Sequence, residues 1–169
     1  MKKTLVILCA ALMALCACSK SETASKSDFD YAEIVINYEA MDNLSDYITI
    51  TVVSDGQTVL TLNKTSDSYQ QKITSVPAAG TLEIKAVLNE SYAWNTETLD
   101  FNLKMEGYMK SYSKKTGNTI SARSLDMIGS MSGTGIKADK TRDYYESKAK
   151  LISATHNYSI DADGKITIE

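Results

Sequence analysis

Apolar and polar residues alternate through most of the chain, at the two-residue period that half-buries a β-strand. Ile34, Ile36 and Tyr38 alternate with polar or small neighbours. Ile48, Ile50 and Val52 share one face, with Tyr47, Thr49 and Thr51 on the other. Asp55-Gly56 then predicts a hairpin, because both residues accept positive φ, and Leu60 and Leu62 continue the buried face of the returning strand. Residues 69–76 form a weaker strand, and Pro77-Ala78-Ala79-Gly80 reads as a turn. Leu82, Ile84, Ala86 and Leu88 alternate cleanly, as do Leu99, Phe101, Leu103 and Met105. Lys115-Thr116-Gly117-Asn118 makes another turn, from which residues 119–128 return as a strand.

About seven short strands with regularly spaced turns and no βαβ rhythm predict a mainly β protein: an antiparallel two-sheet sandwich of immunoglobulin-like size. The sandwich domain is expected over residues 31–128, with Met105, Met109, Met127 and Met131 as core filler. Three glycines in the stretch Gly-Ser-Met-Ser-Gly-Thr-Gly predict a loop over residues 129–136. Residues 137–152 have helical composition, with Asp139 as a cap, a Glu146/Lys150 pair and a stripe of Thr141, Tyr145, Ala149 and Ile152. An extended path through residues 148–154 is the alternative. A terminal hairpin follows, with Tyr158 and Ile160 on one strand, a turn at Asp161-Ala162-Asp163-Gly164, and Ile166 and Ile168 on the other. This segment, residues 137–169, is expected to pack on the sandwich.

The N-terminus carries a different signal. Lys2 and Lys3 precede an almost wholly apolar run to Ala17, the pattern of an export signal over residues 1–17. A membrane-spanning helix needs about 20 apolar residues, so the run is too short for one. Leu15-Cys16-Ala17-Cys18 resembles the lipobox of bacterial lipoproteins, with Cys18 as the modified residue; Cys16 would put the bulky Leu15 before the cut. The resemblance implies a diacylglyceryl thioether and an N-acyl chain on Cys18, and no other cofactor. Multiple acyl chains anchor a protein stably. Residues 18–30 would form the lipidated start and a small, polar, flexible tether. Ser19 is compatible with outer-membrane sorting in that family, and surface or periplasmic display stays open. The body resembles small Bacteroidetes-type β-sandwich lipoproteins in style.

Composition removes several chemistries. The three cysteines (Cys9, Cys16 and Cys18) all lie in the signal region, so lipidation of Cys18 leaves no thiol for disulfides, catalysis or zinc. The single histidine, His156, rules out a multi-His metal site and reads as a polar residue of a turn at His156-Asn157. No G-x-S-x-G pattern supports a serine nucleophile. The net charge of −3 falls to −5 once Lys2 and Lys3 leave with the signal, which argues against a nucleic-acid partner.

Three constellations stand out as candidate sites. Tyr92 and Trp94, with Tyr108 and Tyr112 after the next strand, are aromatics that suit a sugar-stacking platform; the alternative is that Trp94 folds back as a lid on the core. Ten tyrosines against two phenylalanines favour rings with a wet edge. Glu90, Glu97 and Asp100 are carboxylates that glycoside hydrolysis would need held about 5–10 Å apart. Residues 159–166 overlay the start of an EF-hand loop, with Asp161 and Asp163 as weak metal candidates, but the carboxylate that should close the loop is missing. The resulting expectation is a lipid-anchored, non-enzymatic binding or accessory module of a Gram-negative outer membrane, with glycan as its ligand. Its alternatives are a structural or adhesin-like subunit that binds envelope proteins, and a carboxylate hydrolase.

Overall fold

The computed structural model describes residues 27–169. The export signal, Cys16, Cys18 and most of the tether lie outside the described residues. Two antiparallel sheets face each other across one core. The first has four strands in the order β4 (Ser66–Ile73), β1 (Phe29–Ala40), β6 (Leu99–Ser113) and β7 (Thr119–Ile136). The second has five, in the order β3 (Gln57–Thr61), β2 (Ile48–Ser54), β5 (Ala78–Leu88), β8 (Ala154–Ile160) and β9 (Ile166–Ile168). A short helix α1 (Leu44–Tyr47) precedes β2, and α2 (Thr141–Ile152) precedes β8.

Alternation decides which side chains meet. Ala32, Ile34, Ile36 and Tyr38 of β1 and Phe101, Leu103, Met105 and Met109 of β6 point inward. They face Ile48, Ile50, Val52, Leu82, Ile84, Tyr158 and Ile160 of the other sheet. Each fully buried Ile or Leu contributes about 1.5–3 kcal/mol relative to exposure, so these two stripes dominate the stability of the sandwich. Met127 and Met131 pack against the rim of the same core. The Asp55-Gly56 turn takes positive φ at both residues and pairs β2 with β3 as expected. The terminal hairpin also forms, pairing Tyr158 with Ile168 and Ile160 with Ile166.

Several local expectations are overturned. Residues 129–136 are not a loop but the last part of β7, paired with β6. The register shifts where three residues of β7 oppose Glu106 and again where two oppose Asp100. Gly129 and Gly135 sit at these bulges with φ of +63° and +62°, which only glycine adopts readily. Gly133 serves a different need: a Cβ there would lie 2.2 Å from the Tyr144 hydroxyl, because the Tyr144 side chain crosses the strand. Ala78 to Gly80, expected in a turn, open β5 and pair with β8. Strand β6 continues through Tyr108 and Tyr112 rather than ending before them. His156 lies in mid-strand on β8, 8% exposed, and its Nε2 has no partner.

The expected helix forms over Thr141–Ile152, not the extended alternative. Thr141, Tyr145, Ala149 and Ile152 are the buried stripe of α2, and Lys150 donates to Glu146 at 2.9 Å. Asp139 does not cap it; it sits in a 3-10 turn before the helix. The helix start is met by the side chain of Asn95, whose Oδ1 accepts from the Arg142 N–H at 3.3 Å. The Asn95 N–H in turn donates to Thr141 Oγ1 at 3.1 Å. A residue distant in sequence thus supplies the acceptor that a helix start requires.

Candidate functional site

The four aromatic candidates separate into two regions. Tyr92 and Trp94 lie in the connection between β5 and β6, beside Leu99 at the start of β6. Tyr108 and Tyr112 lie toward the other end of that strand. At about 3.3 Å per residue, Leu99 and Tyr112 stand some 43 Å apart along it.

The Trp94 region closes the core. Trp94 lies 5.0 Å from Tyr92 and 5.4 Å from Tyr145, centroid to centroid, at edge and tilted angles. Tyr47 meets Tyr92 at 4.8 Å and Tyr145 at 5.4 Å. Tyr145 is fully buried and donates its hydroxyl to the Asp100 carbonyl. The Trp94 indole N–H donates to the Asn89 carbonyl at 3.1 Å, which satisfies its one polar group within its own loop. Burial, with the hydrogen bond to Glu97 next, pushes the Tyr92 phenol up to about 12. Trp94 therefore has the placement of a lid on the end of the core.

The three candidate carboxylates of this region hold separate partners. Glu90 receives both of its contacts from one nitrogen of Arg142, at 3.0 Å each. Glu97 accepts from Tyr92, and Asp100 Oδ1 accepts from the Gly135 N–H at 2.8 Å. Among the described residues no group of three or more His, Cys, Asp or Glu is gathered to hold a metal ion. Asp161 spends Oδ1 on its own turn, accepting from the N–H groups of Asp163 and Lys165 at 3.0 and 2.9 Å. That is the turn-closing use of aspartate.

The second region is the outer face of the four-stranded sheet. Because inward positions on β6 are odd-numbered, Tyr108, Lys110 and Tyr112 project outward, as do Tyr31, Glu33 and Val35 of β1. Tyr31 and Tyr112 are register partners, and their rings stack at 4.7 Å and 28°. Tyr112 donates its hydroxyl to Glu33 Oε1 at 2.5 Å, while Gln70 Nε2 donates to Glu33 Oε2 at 3.2 Å. The hydrogen bond to Glu33, with burial next, pushes the Tyr112 phenol up to about 12. Lys72 Nζ lies 3.8 Å above the Tyr31 ring, and Lys110 Nζ lies 4.3 Å above Tyr108. Val35, between Tyr108 and Gln70 in the register, is only 8% exposed although it faces outward.

Farther along the same face the aromatics give way to polar residues. Asn37, Glu39, Ser66, Ser68, Lys104 and Glu106 line a shallow depression of about 370 Å³. Tyr31, Glu33, Gln70, Lys72 and this depression escaped sequence reasoning. The only advance signal was the excess of tyrosine, since the contacts depend on strand pairings between residues dozens of positions apart.

The fold and this face define a two-sheet antiparallel β-sandwich with an aromatic and polar outer surface. No protein-family model matches the chain, and no curated protein or solved structure matches it.

Proposed function

We propose that this chain is a lipid-anchored protein of a Gram-negative outer membrane that works as a non-enzymatic binding module, with glycan held on the outer face of its four-stranded sheet. The anchor rests on Leu15-Cys16-Ala17-Cys18 and its lipobox resemblance. The binding face rests on one observation: Tyr31, Tyr108 and Tyr112 are partly exposed rings on one sheet surface, interleaved with Glu33, Gln70, Lys72 and Lys110. Tyrosine suits such a face, because its ring offers an apolar platform and its edge a hydrogen bond. The C–H face of a sugar stacks on the ring, while carboxylate, amide and ammonium groups beside it meet the hydroxyls.

This reading moves the platform away from Trp94 and Tyr92, whose polar groups and ring faces are engaged at the core end. The test is retardation of the full-length protein, purified in detergent, in gels carrying soluble polysaccharides. Retardation by at least one of them, lost in Tyr112→Ala and kept in Trp94→Phe, is the expected result. Retardation lost in Trp94→Phe and kept in Tyr112→Ala would overturn the assignment of the face.

A further inference from the structure

The charges on the outer face balance in number. Along β1, β4 and residues 102–112 of β6, the outward ionic groups are the carboxylates Glu33, Glu39 and Glu106 and the ammonium groups Lys72, Lys104 and Lys110. Glu33 stands opposite Lys72 on β4 and opposite Lys110 on β6. Glu39 stands opposite Lys104, whose ion pair is with Glu106 at 3.2 Å, and Asp67 at the edge of the depression pairs with Lys64 at 3.0 Å. Three carboxylates and three ammonium groups balance over these strands, so the face offers a charged polymer no net attraction. An uncharged ligand needs none, and it finds donors and acceptors at Asn37, Ser66, Ser68 and Gln70.

The layout also has a direction. Tyr112, Tyr108 and Lys104 follow one another on β6, four residues apart, always on the outer side. Tyr112 and Tyr108 are thus about 13 Å apart, and the run from Tyr112 to Lys104 covers about 26 Å. The platform lies at one end of this run and the depression around Asn37, Glu39 and Lys104 at the other. The lysines over Tyr31 and Tyr108 are weakly held at a surface that water reaches, so a sugar can displace them from those ring faces.

We infer that the ligand of this face is an uncharged, extended polysaccharide lying along the strands, with sugar rings on Tyr112 and Tyr108 and hydroxyls in the depression lined by Asn37, Glu39, Ser68 and Lys104. This inference rests on the glycan reading of the face given above.

The test uses the full-length protein in detergent with two sets of probes. The first compares neutral polymers (mixed-linkage β-glucan, xylan, mannan and dextran) with anionic polygalacturonate and cationic chitosan. At least one neutral polymer is expected to bind tenfold or more tightly than either charged one. The second is a length series of oligosaccharides from that neutral polymer. Affinity should climb until the oligomer covers about 26 Å of strand and then level off. The double variant Asn37→Ala/Ser68→Ala, checked for an unchanged circular dichroism spectrum, should lose about fivefold for the long oligomer and nothing for the short one. Equal or tighter binding of a charged polymer overturns the inference and leaves the glycan reading standing, as does an affinity that ignores length. No binding to any of the six polymers removes both.

Discussion

At the end of the core, Tyr47, Tyr92, Trp94 and Tyr145 meet at edges and steep tilts; on the outer face of the four-stranded sheet, Tyr31 and Tyr112 lie nearly parallel. The end cluster fills three-dimensional space. Its rings turn edges toward neighbouring faces, and the polar groups of Trp94 and Tyr145 are spent on backbone carbonyls. The outer face spreads its rings over a surface, where the Tyr112 phenol bonds sideways to Glu33 and lysines lie over the rings of Tyr31 and Tyr108. The same residue type thus serves cohesion in one place and display in the other. What separates them is the number of elements that converge: a loop and two helices meet over the core end, while nothing among the described residues covers the sheet.

The widest gap between the regions should be in stability. Tyr145 is fully buried, so Tyr145→Ala should cost about 3–5 kcal/mol, as large aromatic truncations in cores do. Tyr112→Ala removes a partly exposed stack and one hydrogen bond, and should cost about 1 kcal/mol. Urea unfolding of the two variants measures both. Equal losses would erase the distinction between cohesion and display.

A smaller effect probes how α2 sits on β7 at the core end. Gly133→Ala would place a Cβ 2.2 Å from the Tyr144 hydroxyl and 2.8 Å from its ring carbon, so the ring must shift. The expected cost is about 1–3 kcal/mol. In a Tyr144→Ala background the clash is gone, and Gly133→Ala should cost far less. A double-mutant cycle by urea unfolding reads the difference. Additive costs would mean that the ring does not occupy that space.

The smallest effect lies in titration. Tyr92 and Tyr112 are both pushed up to about 12, for reasons that differ in order: burial first for Tyr92, the hydrogen bond to Glu33 first for Tyr112. A phenol raised in the folded state favours folding while it is protonated. That contribution is complete below the unfolded value of about 10 and is lost as pH rises toward about 12. Glu33→Gln should therefore bring Tyr112 down markedly, whereas Glu97→Gln should move Tyr92 less. Tyrosine ring NMR across alkaline pH measures both, and a larger shift at Tyr92 would reverse the assigned causes.

The two-sheet architecture was legible because inward positions on β1, β2, β5 and the first half of β6 are aliphatic or aromatic at period two. The pattern faded where burial is polar. In the second half of β6 the inward residues include Gly107, Ser111 and Ser113, and the serines are buried through hydrogen bonds to Gly164 and Asp28. Hydrophobic periodicity cannot register such positions, so Tyr108 and Tyr112 read as residues after a strand. The glycines of β7 misled for a related reason: the left-handed conformations that mark a loop also make bulges inside a long strand. Trp94 was the most visible residue of the chain, and its lid alternative matches its placement. The outer face could not be assembled in advance, since Tyr31 and Tyr112 meet only through the β1–β6 register.

The most direct measurement of the central distinction is chemical-shift mapping of tyrosine and tryptophan ring resonances in the full-length protein during titration with the neutral polysaccharide that retards it. Saturable shifts at Tyr31, Tyr108 and Tyr112, with Trp94, Tyr92 and Tyr145 unmoved, are the predicted result. Shifts confined to Trp94 and Tyr92, with the sheet face silent, would contradict the account.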